Sequence, residues 1–228
     1  MIQNELLFFV TMLVNFSGIL IAYKLFGKQG LFVWMGLAIV ITNIEVLKCV
    51  DMFGWAVTLG NVIYGTTFLV TDILNEKYGV KKARMAVMVG FFAMIVFTVI
   101  MQVNLLFEVN AADFSKDAFE TIFAVLPRIA IASIIAYLVA NLIDVQVYHF
   151  IKKALPDDKW LWVRNNGSSL CGQAIDTVIF GIIAFIGLYE FPIIFQLTIT
   201  SYILKFVITL CETPFLYIAK RIKPIYDE

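Results

Sequence analysis

The chain has 228 residues, of which 61% are hydrophobic and only 15% charged, and its mean hydropathy is +0.91. A soluble domain is about 45–50% apolar and about 25% charged. A chain this short also keeps much of its surface wet, so the composition excludes an ordinary soluble domain and makes lipid the expected solvent. Net charge is zero, which gives no footprint for a nucleic-acid partner.

Three cysteines, Cys49, Cys171 and Cys211, form neither a disulfide framework nor a zinc pattern. The first apolar run lacks a basic leader and a small-residue cleavage site, so it reads as a retained helix. About 20 mostly apolar residues cross a bilayer, and seven runs meet that length. They are Leu6–Phe26, Leu31–Val50, Trp55–Leu74, Ala83–Leu106, Arg128–Phe150, Ser169–Tyr189 and Pro192–Ile218. Pro127 and Pro192 stand at helix starts, where a missing N–H costs little. Thr213-Pro214 lies inside the last run and predicts a kink. Between the fourth and fifth runs, Phe119, Ile122, Phe123 and Leu126 have helical spacing and predict a short surface helix.

The basic residues alternate from one connection to the next. Lys24 and Lys28 fall in the first, Lys77, Lys81, Lys82 and Arg84 in the third, Lys152, Lys153, Lys159 and Arg164 in the fifth, and Lys220, Arg221 and Lys223 in the tail. The other connections carry Asp51, Glu108, Asp113, Asp117, Glu120 and Glu190. The positive-inside rule therefore predicts an outer N-terminus and a cytoplasmic C-terminus, which needs an odd number of crossings. Trp34, Trp160 and Trp162 then fall near the inner interface and Trp55 near the outer one, as aromatic belts do. The expected fold class is all-α, a polytopic bundle of seven transmembrane helices in a multi-pass inner (cell) membrane protein.

Ionisable groups recur at membrane depth: Glu45, Lys48, Asp72, Arg128, Asp144, Asp176, Lys205 and Glu212. Each costs about 2.5–3.5 kcal/mol on insertion scales, so together they call for a shared polar interior. Their spacing agrees. Asn61, Gly65, Phe68, Asp72 and Glu76 advance by three or four residues, as do Ser133, Tyr137, Asn141, Asp144 and Tyr148. Ser169, Gln173, Asp176 and Phe180 form a third stripe, and Tyr202, Lys205, Thr209 and Glu212 a fourth. Such steps keep a set on one helical face. Converging stripes of carboxylates, amides, an ammonium and aromatic rings suit a planar, hydrogen-bonding heterocycle, whose N–H edge a carboxylate accepts well. A buried Asp176–Lys205 pair that locks helices together fits the same spacing. Asp72 and Glu76 also fit a latch with Lys81, Lys82 or Arg84, and His149 fits a solvated tip at the inner interface.

The stretches ITNIEVLK around Asn43 and Lys48, VTDILNEKYG at 70–79, RIAIASIIAYLVANLIDV at 128–145, WVRNNGSSLCGQAIDT at 162–177, and SYILKF with ETPF near the end resemble the queuosine precursor transporter family, also called the vitamin uptake transporter family. The resemblance covers about residues 31–220. It implies a six-helix transporter core at 31–220, an additional N-terminal helix at 1–30 and a cytoplasmic tail at 221–228. It also implies import of a 7-deazaguanine such as preQ0, preQ1 or queuine. Asn43, Lys48, Asp72, Glu76, Arg128, Ser133, Asp144, Gln173, Asp176 and Lys205 fall on the family's polar positions, and Tyr137 joins them from its stripe as a candidate substrate-binding residue. More weakly, the resemblance reaches the substrate-binding subunits of energy-coupling-factor importers.

The expected partners are a deazapurine base and the bilayer, with a homodimer and energising subunits left open and no nucleic acid. No cofactor or metal is expected. There is no GxxxxGK[ST] phosphate loop, so coupling falls to a secondary or facilitative carrier or to a borrowed motor. An intramembrane enzyme would need HExxH, a Ser/His dyad or paired carboxylates with their flanking signatures, and the chain carries none.

Overall fold

The computed structural model of the chain describes residues 2–110, 112–155 and 160–226. The elements are α1 (Ile2–Glu45), β1 (Cys49–Met52), β2 (Trp55–Thr58), α2 (Asn61–Tyr78), α3 (Val80–Asn104), α4 (Lys116–Phe123), α5 (Leu126–Ala154), α6 (Leu161–Phe185) and α7 (Phe191–Arg221). Gln3–Glu45, Val80–Asn104, Lys116–Ala140 and Phe191–Arg221 are long and apolar enough to cross a bilayer, and Leu170–Phe185 is a shorter apolar helix. Large apolar side chains point outward, with Met88 65% and Phe92 68% exposed, while Gln173, Asp176, Lys205 and Glu212 are buried. Water would reverse that arrangement, and lipid accounts for it. The molecule is an all-α membrane protein.

Two expected runs, Leu6–Phe26 and Leu31–Val50, lie in the single element α1, on either side of a break. Gly27 has φ 56° and ψ −141°, a conformation open essentially only to glycine. The chain folds back there. The Trp34 indole lies over Gly18, where an added methyl would sit 2.5 Å from its ring. In a straight helix those residues would stand about 24 Å apart. The Trp34 N–H donates to Thr66 Oγ1 at 3.0 Å, so this tryptophan ties α1 to α2, a role the belt assignment did not include.

The second correction concerns residues 46–60. The expected ends at Val50 and Trp55 are not helical but form an antiparallel hairpin, with Met52 opposite Trp55. Phe53 and Gly54 between them have φ 55° and 79°, the two positive values that a tight two-residue hairpin turn requires. β-Branched Val50 and Val57 pair across the ladder and suit it. The hairpin docks on the start of α1: Asn4 Nδ2 donates to Asp51 O at 2.8 Å and the Phe53 N–H donates to Glu5 Oε1 at 2.9 Å.

The expected surface helix is α4, and Gln102 Nε2 donates to Phe123 O at 2.7 Å to hold its end. Pro127 and Pro192 lie in the first turns of α5 and α7, and Pro214 lies within α7. The first arm of α1 buries Phe8, Met12, Phe16, Ile19 and Tyr23 in one apolar core with α2 and α7. Residues expected to form an additional N-terminal helix thus pack directly in one core with α2 and α7. A second core joins Val46, Ile129 and Ala132 to Ala184, Phe185, Ile194 and Leu197.

Candidate functional site

A small cavity of about 60 Å³ lies where the second arm of α1, the hairpin and α2, α5, α6 and α7 meet. Asp176 and Lys205 stand at its wall, 5% and 8% exposed. Lys205 Nζ lies 2.7 Å from Asp176 Oδ2 and donates to Thr177 Oγ1 at 3.0 Å. The Tyr64 hydroxyl donates to Asp176 Oδ1 at 3.2 Å, and Lys205 Nζ sits 4.7 Å from the centroid of the Tyr64 ring. Two charges withdrawn from water survive when each meets the other and their remaining valences are filled, and here α2 and α6 supply the hydroxyls that help to do so.

The rest of the lining combines polar and aromatic groups. Thr42, Thr58, Asn61, Ser133, Thr198 and Ser201 contribute amide and hydroxyl groups, and Phe180 and Phe185 contribute rings. Asn61 Nδ2 donates to Thr58 O at 3.0 Å and to Ser201 Oγ at 3.4 Å, linking the hairpin, α2 and α7. Thr200 Oγ1 donates to Ala56 O at 3.0 Å, so the hairpin is pinned to α7 beside the cavity. Gly65 lets α2 approach α7, since a methyl there would lie 2.4 Å from Ile208 Cγ2.

The sequence candidates divide into groups. Asp176, Lys205 and Ser133 line the cavity. Asn43 stands directly behind it, accepting from Ser133 Oγ at 2.9 Å and donating to Ile39 O at 2.7 Å and Met94 Sδ at 3.0 Å. Gln173 lies deeper between α6 and α7, its Nε2 donating to Thr209 Oγ1 at 3.2 Å. Tyr137 packs edge-on against Phe91 with ring centroids 4.9 Å apart and is not in the lining.

Four candidates lie elsewhere. Lys48 is exposed beside the hairpin. Arg128 spans to the end of α6, donating through Nε to Ile183 O at 2.7 Å and through Nη2 to Ile186 O, so it satisfies carbonyls that a helix end leaves open. Glu76 pairs on the surface with Lys220 at 2.7 Å, where the expected latch partners were Lys81, Lys82 or Arg84. Asp72, on α2, is not in the cavity lining. Asp144 lies on α5, but its side chain, like those of Asn141, Tyr148, His149 and Ser169, is outside the described residues.

Tyr64, Thr177 and Ser201 were missed. Tyr64 is three residues after Asn61 and four before Phe68, so the α2 stripe contained its signal. Ser201 stands four residues before Lys205, where Tyr202 had been placed on the stripe. Thr177 follows Asp176 directly, and only the approach of Lys205 brings it in. Among the described residues no group of three or more His, Cys, Asp or Glu side chains could hold a metal ion.

A family model described as "Putative vitamin uptake transporter" matches residues 58–219. A probable queuosine precursor transporter from Bacillus subtilis (strain 168) is 45% identical over 212 residues, which is 93% of each chain. A protein of the same description from Haemophilus influenzae is 29% identical over 63% of this chain and 58% of its own. The queuosine precursor transporter of Escherichia coli (strain K12) is 27% identical over 65% of this chain and 64% of its own. No solved structure gives a significant match.

Proposed function

This chain belongs to the putative vitamin uptake transporter family, and we propose on that premise that it imports a queuosine precursor, a 7-deazaguanine such as preQ0, preQ1 or queuine. The observation that carries the reading is the buried Asp176–Lys205 pair facing a cavity with Tyr64, Phe180 and Phe185 in its wall. A carboxylate has about four acceptor sites, and Asp176 spends one on Lys205 and one on Tyr64. What remains suits the adjacent N–H donors of a guanine-type edge, while the rings suit its faces. A cavity of about 60 Å³ has room for roughly two waters. A two-ring base therefore enters as the aromatic walls part, which fits a carrier between its open states.

The membrane arrangement follows the charge pattern. An unbroken helix of the length of α1 would run about 66 Å, twice the hydrocarbon core of about 30 Å. Its two arms on either side of Gly27 therefore count as separate crossings, for seven in all, with the N-terminus outside and the C-terminus in the cytoplasm. The Asp51 hairpin then covers the cavity from the outer side. In this reading residues 31–220 are the six-helix core of a carrier in the inner membrane that works without a motor protein.

The test is uptake of labelled preQ0, preQ1 and queuine by cells lacking their own synthesis, with Asp176→Asn and Lys205→Met made in normally inserted protein. Uptake by the wild type and its loss in both variants is expected. Wild-type rates in both variants would remove the site assignment. Uptake by the purified chain alone in liposomes would exclude a requirement for energising subunits.

A further inference from the structure

Seven residues beyond Lys205, about 10 Å further along α7, lies a second buried acid that the cavity does not use. Glu212 is 6% exposed, and its Oε2 has no hydrogen-bond partner among the described residues. Gln173 reaches Thr209, one turn earlier on the same face, and leaves its own buried Oε1 without a partner. Two orphaned acceptors flank this strip of the α6–α7 contact.

Among the described residues, the charges around Glu212 do not relieve it. Across the contact with α2, the carboxylate of Asp72 adds negative charge to its surroundings. On α7 itself, Lys205 is occupied by Asp176 and Thr177, and Lys220 is occupied by Glu76. Among the described side chains of α6, Gln173 is neutral and Asp176 is paired. From α1 the titratable side chain buried in the same core is Tyr23, an acid that adds no positive charge. The hairpin's Cys49 and Asp51 lie at the other end of the bundle. An ionised carboxylate withdrawn from water is tolerated when a cation meets it. A buried carboxyl that meets no cation takes up a proton instead.

We propose that Glu212 carries a proton in this conformation and exchanges it during the cycle, which makes the chain a proton-coupled importer. The proposal rests on the carrier reading and extends it to the energy source. The chemistry is one O–H bond. A proton from the outer water binds a Glu212 oxygen, and the same proton leaves to the cytoplasmic water once that end opens. Two features suit the exchange. Lys205 and Glu212 share one rigid helix, so a shift of α7 as the base enters moves both. Pro214, two residues beyond, lacks an N–H, so the carbonyl of Leu210 loses its intrahelical donor and the helix is weakest beside the acid.

The test uses purified full-length protein and has two readouts. In infrared difference spectra, wild-type protein at neutral pH is expected to show the carbonyl band of a protonated carboxylic acid, absent from E212Q and retained by E212D. A wild-type spectrum without a band assignable to Glu212 overturns the proposal, whatever the variants do. In proteoliposomes, wild type is expected to accumulate labelled preQ1 when the interior is alkaline and to lose at least tenfold of that accumulation with a protonophore. E212Q should still exchange labelled for unlabelled base but not concentrate it, and E212D should recover part of the accumulation. Accumulation by E212Q at the wild-type level, or wild-type accumulation that ignores the protonophore and follows a sodium gradient, overturns it. If wild type fails even to exchange the base, the carrier reading falls by itself, and the infrared band still decides whether Glu212 holds a proton.

Discussion

Lys205 Nζ lies 2.7 Å from Asp176 Oδ2, with both side chains withdrawn from solvent and the Tyr64 ring 4.7 Å from the ammonium. The pair joins α6 to α7, so it bears on both stability and binding. Removing one partner of a buried pair costs about 3–5 kcal/mol, because the other charge is left alone. Asp176→Asn and Lys205→Met should each lower the melting temperature in detergent. The double variant should recover at least half of the summed loss, as double-mutant cycles read it. Uptake should stay abolished in the double variant, since the acceptor for the base is gone even when the fold is restored.

Arg128 offers the opposite case. Its guanidinium is spent on the carbonyls of Ile183 and Ile186, so Arg128→Gln should destabilise by about 2 kcal/mol, within the usual range for hydrogen bonds to a charged group. Amide exchange should speed up in the last turn of α6. Uptake per folded molecule should stay within about threefold of wild type. A selective rise in KM at unchanged stability would show instead that the residue touches the substrate.

The close approach of α2 and α7 is set at Gly65, over Ile208. Gly65→Ala should destabilise by about 1–3 kcal/mol, the usual cost of overpacking. Ile208→Leu, which removes the crowding Cγ2, should return part of it in the double variant. Thermal melting of the four proteins checks the cycle.

Outside the bundle, Asp113 accepts from the Ser115 N–H and hydroxyl, both at 2.7 Å. These bonds hold its carboxyl below the usual aspartate range. The folded state thus favours the ionised form. Its contribution is complete above the ordinary aspartate pKa and is lost as pH falls through the lowered one. Amide exchange in the first turn of α4, corrected for intrinsic rates, should therefore hold steady from pH 7 to about pH 5 and rise at more acidic pH. Asp113→Ala should show the faster exchange throughout.

Legibility in the sequence followed the range of the interactions. Hydrophobic length and the alternation of lysine and arginine are local properties, so the lipid-embedded class, most helices and the short helix α4 could be read directly. Asp176 and Lys205 were legible because a charge inside an apolar run is conspicuous wherever its partner lies. The hairpin at Cys49–Thr58 was not, since a strand pair of four residues each looks like the frayed ends of two apolar helices until its register is known. The partners of Arg128 and Glu76 were not legible for a related reason: a polar residue on a given face still chooses its partner by depth and by what stands opposite.

By itself, then, the sequence determined that the chain lives in lipid and where most of its helices run, because burial cost and helical period act within one segment. Tertiary structure decided the rest. It showed that α1 reverses at Gly27, that Tyr64 and Thr177 complete the charge pair, and that Glu212 is buried with one oxygen unpartnered among the described residues. Those outcomes depend on which faces of separate helices come to oppose one another, and contacts across the bundle leave no periodic trace along the chain.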